Sequence, residues 1–295
     1  MTVKSTSGMT RTFVRNIAFT ALCIGLATTS FAASKKPLSY PKGLAVDAKG
    51  NLYLANSGGN DILVYNPNYV QLPKSTITSN ISNPSAVAID AQGNLWVANY
   101  GTSNGGPEGS IAEYTAGVQN TAGTITTLII GPEAMAVDGA DNVWVENDNS
   151  NINVYNPPAL YTAGIGWAGR SFTPNYPITG LTVQNGTVAW GTKGAVNFAS
   201  STLGLVNGSL NYLGYGNDDG GALVTDATGA IYMCNSDGTV NITIPVGEYN
   251  FTTLPFPAAG AAIDNVRHRI YFSNANRNSI AVYSTTSAAL LATIK

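Results

Sequence analysis

The chain has 295 residues, 44% of them hydrophobic and only 10% charged, against roughly 25% charged in an average soluble domain. Glycine, asparagine, threonine and serine supply the polar share, which favours strands and tight turns over helices. The formal charge of −2 offers no basic surface for nucleic acid or an anionic membrane.

Lys4, Arg11 and Arg15 precede the apolar run IAFTALCIGLA (17–27), which leads into small residues ending SFA at 30–32. A basic start, a short apolar centre and a small-x-small site read as a secretory signal peptide over 1–32. The run is too short to span a bilayer, and Leu22 before Cys23 argues against a lipoprotein attachment site. The expectation is a secreted or periplasmic monomer with no membrane span after cleavage and one domain over 33–295. Losing those three cations leaves eleven Lys and Arg against sixteen Asp and Glu, a formal charge of about −5. One cysteine, Cys234, then remains, so no internal disulfide forms and the core must supply the stability.

From residue 41 onward the chain repeats itself. PKGLAVDAKGNLYLAN (41–56) returns as PSAVAIDAQGNLWVAN (84–99) and PEAMAVDGADNVWVEN (132–147). Weaker copies follow as TGLTVQNGTVAWGT (179–192), GALVTDATGAIYMCN (221–235) and GAAIDNVRHRIYFSN (260–274). Anchored on Asp47, Asp90, Asp138, Gln184, Asp226 and Asp264, the steps are 43, 48, 46, 42 and 38 residues. In each copy a short apolar run and an alternating run flank a turn with Asp at its start and Gly where a positive φ is needed. Asp47 and its equivalents are therefore expected to hold hairpin turns. Third strands read as DILVY (61–65), SIAEY (110–114), NINVY (151–155) and SIAVY (279–283), and fourth strands as STITS (75–79), TITTLII (124–130) and AALLATI (288–294).

Four strands per period of about 40–45 residues is a β-propeller blade. The expected fold is all-β, a six-bladed β-propeller of four-stranded antiparallel blades, closed edge to edge with at most a few N-terminal residues latched on. The recurring bulky residues Tyr53, Trp96, Trp144, Tyr232 and Tyr271 are assigned to packing between blades. Trp190 falls one position out of this register, through a shortened turn or a second strand that shows its opposite face. The phrase P-x-G-[LI]-A-V-D-x-x-G-N-[LI]-[YW]-[VL]-A-[ND] resembles the NHL repeat and the wider six-bladed TolB-like superfamily, more distantly the gluconolactonase and regucalcin-like propellers.

The resemblance implies a ligand site at the channel mouth, built from the residues before each inner strand and the loops between second and third strands. The mouth then presents Lys42, Ser85, Glu133, Thr179, Gly221 and Ala259, with Asp218 and Asp219 slightly upstream in the fifth copy. NHL-type amidating lyases hold a metal through several histidines and streptogramin-lyase-type propellers use an active-site histidine. This chain has only His268, in a turn at the opposite end. Gluconolactonase-like enzymes hold a divalent cation through Glu, Asn and Asp oxygens, which suit calcium. Their acidic residue before an inner strand has one counterpart, Glu133, and Glu146 and Asp148 extend that corner into a candidate cation site. The leading expectation is a binding or scaffold module whose rim (Lys42, Ser85, Glu133, Asp219) takes a peptide, glycan or protein. The alternative is a divalent-cation-dependent lactonase or esterase-like hydrolase with Glu133, Glu146 and Asp148 as oxygen ligands. The glycine-rich YGTSNGGPEG (100–109) lacks a Walker lysine and a following helix and reads as a loop tip. The aromatic-bearing stretch 157–177 reads as cover for the degenerate fourth copy.

Overall fold

The computed structural model describes residues 34–101, 109–126, 128–148, 151–155, 168–172, 178–184, 186–192, 195–200, 213–214, 220–235, 237–244 and 247–295. The expected signal segment, most of the 100–109 loop, Asp218, Asp219 and the aromatic side chains of 157–177 lie outside the described residues.

Among the described residues all regular structure apart from single 3₁₀ turns is antiparallel sheet. The first sheet holds β1 (Pro41–Val46), β2 (Leu52–Asn56) and β3 (Asp61–Tyr65). The second holds β4 (Pro84–Ile89), β5 (Leu95–Asn99), β6 (Ser110–Thr115) and β7 (Val118–Ile125), and the third β8 (Pro132–Val137), β9 (Val143–Asn147), β10 (Ile152–Tyr155) and β11 (Ala168–Phe172). The fourth holds β12 (Ile178–Gln184), β13 (Thr187–Thr192), β14 (Ala195–Ser200) and β15 (Leu213–Gly214). The fifth holds β16 (Gly220–Thr225), β17 (Ile231–Asn235), β18 (Thr239–Ile244) and β19 (Gly247–Thr253), and the sixth β20 (Gly260–Asp264), β21 (Arg269–Asn274), β22 (Ser279–Ser284) and β23 (Leu290–Ile294). Each sheet runs in chain order, first strand to last.

The first strands lie side by side. β1 packs on β4, β4 on β8, β8 on β12, β12 on β16, β16 on β20, and β20 returns to β1. The hydrophobic clusters follow the same circuit, each shared by two consecutive sheets. Trp96 of the second sheet packs with Met135, Val143 and Tyr155 of the third, and Trp144 of the third with Leu181, Val188 and Trp190 of the fourth. The circuit closes where Leu44, Leu54 and Tyr65 meet Tyr271, Val282 and Ile294. The fold is a β-propeller, in which every sheet buries its faces against its neighbours.

Six four-stranded blades were expected; among the described residues five sheets carry four strands and the first carries three. STITS does not form its fourth strand. Pro73 lacks an amide to donate, and Pro73–Ser75 turns as a 3₁₀ helix, so only isolated bridges, Ile62 to Ile77 and Tyr65 to Gln71, remain on the outer edge of β3. In the second sheet the fourth strand lies earlier than TITTLII, because Ala116 and Gly117 adopt φ of 50° and 81° and reverse the chain in a tight turn. Residues 168–172, assigned to a covering excursion, supply β11, the edge strand of the third sheet. The N-terminal stretch forms no strand but is tied down. Leu38 is buried at the seam between sheets one and six, and Lys36 pairs with Asp61 at 2.8 Å.

The turn aspartates behave as expected. Asp47, Asp90 and Asp138 each accept from backbone amides two and four residues ahead at 2.7–3.0 Å, and Asp226 does the same. Asp90 and Asp138 also accept from the indole N–H of Trp96 and Trp144, both at 3.0 Å. The fourth sheet departs from this plan. Gln184 pairs directly with Thr187, so its turn is two residues long. Trp190 thereby pairs with Leu181 as Leu54 pairs with Leu44, and it faces the preceding sheet, whereas Trp144 faces the following one.

Candidate functional site

At the end of the sheets opposite these turns, five of the six inner pairs carry the same irregularity. The register shifts between Pro41 and Leu44, Pro84 and Ala86, Pro132 and Ala134, Ile178 and Gly180, and Gly220 and Leu223. An extra residue in one strand of a pair is a β-bulge, which bends the strand and re-aims a side chain. The extra residues fall where the copies disagree: around Lys42, at Ser85, at Glu133, at Thr179 and around Gly221. In the sixth sheet Ala259 occupies the corresponding place, its amide donating to Ser273 O at 3.0 Å.

These strand starts surround one central opening of about 80 Å³, lined by residues of all six sheets, including Gly43, Ser85, Glu133, Gly180, Ala222 and Gly260. It is large enough for a few waters and far below the several hundred Å³ of a pocket that engulfs a small molecule. A ligand would therefore rest on the mouth. Close strand approach explains the narrowness. A Cβ on Gly43 would lie 2.6 Å from Ala86 Cα, and one on Gly260 would collide with the Lys42 carbonyl. Hydroxyls stitch the same strands, with Ser85 donating to Pro132 O and Ser273 donating to Lys42 O at 2.6 Å.

The expected rim residues separate into different roles. Ser85 is buried, 3% exposed, and its hydroxyl is engaged with the carbonyls of Ala98 and Pro132, so it serves the ring and not the rim. Lys42, half-buried beside Gly43 of the opening, holds its Nζ 5.7 Å from the centre of the Tyr40 ring and 5.5 Å from that of Tyr100. Glu133 is exposed on the third sheet. Its carboxyl is raised above its ordinary value, first by desolvation and then by Asp148, with Lys42 acting the other way. Tyr100 joins the two arcs, its hydroxyl donating to Asp148 Oδ2 at 3.3 Å. Thr179 and Gly221 directly precede Gly180 and Ala222, which line the opening, while the Thr179 side chain and Asp219 lie outside the described residues.

Glu146 takes the place of Ala55 and Ala98 in the other copies and shares Trp144's side of β9. It is 3% exposed, and its carboxyl is pushed up to about 9 by burial and then by Glu133, partly offset by an acceptor bond from the Ala134 amide, with Asp148 adding to the rise. The acid is thus neutral at pH 7. Glu133, Glu146 and Asp148 affect one another electrostatically, yet among the described residues no three His, Cys, Asp or Glu side chains converge closely enough to hold a metal ion. His268 is exposed in the β20–β21 turn, at the opposite end. Cys234 is fully buried, which pushes its thiol pKa up and leaves it protonated.

Sequence reasoning missed the asparagine that ends five of the six second strands, the fourth ending in Thr192. Asn56, Asn99 and Asn147 accept from the amides of Ser39, Ser82 and Ile130 at 2.6–3.0 Å, and each also donates to a carbonyl of the same incoming segment. They anchor the segment that enters the next bulge. Their recurrence at the end of every full copy was the available signal. Tyr40 and Tyr100 were missed because they precede and follow the repeated phrase.

Comparison with protein families finds no match, and comparison with curated proteins finds none. Among solved structures the chain is similar to streptogramin B lyase, with a TM-score of 0.60 at 13% identity over 89% of this chain and 85% of that one. It is also similar to selenomethionine-substituted virginiamycin B lyase from Staphylococcus aureus, with a TM-score of 0.58 at 12% identity over 85% and 83%. At these identities the likeness establishes the propeller fold alone.

Proposed function

We propose that this chain is an exported six-bladed propeller of NHL-like, TolB-type blades that works as a binding module through its channel mouth. The signal-like segment at 1–32 supports export, and the circuit of six inner strands supports the blade count. The observation that carries the binding reading is the recurrent bulge. The same distortion is built into the start of five inner strands, and it falls where otherwise matching copies differ in charge and size. A distortion kept while its residue varies leaves that position free to present a side chain, a freedom used by Lys42 and Glu133 and not by Ser85 or Gly221.

A lyase activity like that named for the two similar structures finds less support at this mouth. The single histidine is at the far end of the sheets, and no imidazole is available there for acid–base work. The cation-dependent hydrolase is the weaker reading too, since Glu133, Glu146 and Asp148 do not form a ligand set. The test is to probe peptide and glycan arrays with the wild-type chain and with a Lys42→Ala/Glu133→Gln double variant that unfolds at the same temperature. Ligands that the wild type captures and the variant does not are the expected result. An unchanged capture profile would overturn the reading.

A further inference from the structure

The charges of the mouth are divided. Lys42 stands on the first sheet, its ammonium held by the faces of Tyr40 and Tyr100. Glu133 and Asp148 stand on and beside the third sheet, both exposed. Among the described residues the second sheet, which lies between, contributes Tyr100 and Ser85, and the Ser85 hydroxyl is already committed to two carbonyls. Among the described residues neither Lys42 nor Glu133 forms an ion pair, although each lies within the electrostatic reach of the other.

A contact with an aromatic face orients an ammonium without neutralising it, so Lys42 retains its demand for an anion. The backbones of both tyrosines are fixed. The Tyr40 amide donates to Asn278 Oδ1 at 2.7 Å, with Tyr40 at φ 50°, and the Tyr100 amide donates to Asn83 O at 3.1 Å. A purely anionic ligand here meets Glu133 and Asp148, and a purely cationic one meets Lys42. Only a molecule with both charges satisfies both arcs, and the narrow opening beneath keeps it on the surface.

We infer that the mouth binds a small zwitterion of the short-peptide type, its carboxylate on Lys42 and its ammonium between Glu133 and Asp148. This rests on the binding-module reading and names its ligand class. Tyr100 is then a positioning residue, holding Lys42 on one side and Asp148 on the other.

The experiment titrates glycine, diglycine and triglycine into the wild-type chain, with the N-acetyl and C-amide forms of each as singly charged controls. One length of the series binds best, and capping either end weakens it at least about tenfold. Lys42→Glu alone abolishes binding, and the exchange Lys42→Glu/Glu133→Lys restores it, an outcome that a merely structural role of either residue would not give. No binding of any member at about 10 mM, or equal binding of the capped forms, overturns the inference. If array ligands depend on Lys42 and Glu133 while these zwitterions fail, the ligand class falls and the binding module stands. If array capture ignores both residues, the two fall together.

Discussion

The two ends of the inner hairpins obey opposite rules. At the turn end Asp47, Asp90, Asp138 and Asp226 make the same bonds to the backbone, and Trp96 and Trp144 tie two of them into the packing between sheets. At the mouth end the backbone is again the same, a bulge in five sheets, but the residue there changes from Lys42 to Glu133, both on the mouth, with Ser85 turned into the ring between them. Identity is kept where it holds the ring, and variation is allowed where side chains meet solvent or ligand. The turn aspartates and the side chains packed between sheets should therefore answer to stability measurements, and the mouth side chains Lys42 and Glu133 to binding.

The largest effect expected is at the turn end. Trp96 is 3% exposed, and Trp96→Ala should cost about 3–5 kcal/mol in denaturant unfolding, as the loss of a buried aromatic generally does. Glu146→Gln comes next, with the opposite sign. Burial raises the native-state pKa of Glu146 from 4.5 to about 9, so its contribution to stability is full below pH 4.5 and is lost as pH rises through about 9. The neutral glutamine avoids that loss and should stabilise the protein by about 2–3 kcal/mol at pH 7, and by nothing at pH 4. Unfolding curves at the two pH values separate this from a packing effect, which would not depend on pH.

Gly43→Ala should cost about 1–3 kcal/mol, because its methyl group would press on the backbone of β4 and force the inner strands apart. Lys42→Ala should cost no more than about 1 kcal/mol, since half-buried Lys42 gives up its contacts with two aromatic faces, and Glu133→Gln should change stability by less than about 0.5 kcal/mol, the usual range for an exposed side chain. A large loss from either would place them in the ring and blur the contrast between the ends. Smallest of all, millimolar calcium should shift the melting temperature by less than about 1 °C, since Glu133, Glu146 and Asp148 form no ligand set and an ion adds linkage energy only where it binds.

Much of the fold was legible before any coordinates. The phrase beginning at Pro41 recurs because each copy builds the same hairpin, and the positions of Asp47 and Tyr53 within it announced the turn and the packing stripe. What escaped lay outside the phrase. Nothing in STITS itself shows that Pro73 and the 3₁₀ turn will deny the first sheet its fourth strand. Trp190 was ambiguous because one shortened turn exchanges the two faces of β13. The candidate site was half legible: Lys42 and Glu133 follow the same proline and visibly differ, but Ser85 looked equivalent until its hydroxyl was found bonded across to Pro132. Tyr100 enters the site through the path of a loop, which the repeat does not encode.

The central claim is that one end carries the fold and the other the ligand, and amide chemical-shift mapping tests it most directly. Titrating the best-binding member of the glycine series into uniformly ¹⁵N-labelled protein should move the signals of Lys42, Gly43, Ser85, Glu133, Ala134 and Tyr100. Those of Asp47–Asn51, Asp90–Asn94 and Asp138–Asn142 should stay in place. Shifts centred on the hairpin turns, or none at the bulges at saturating ligand, would contradict the account.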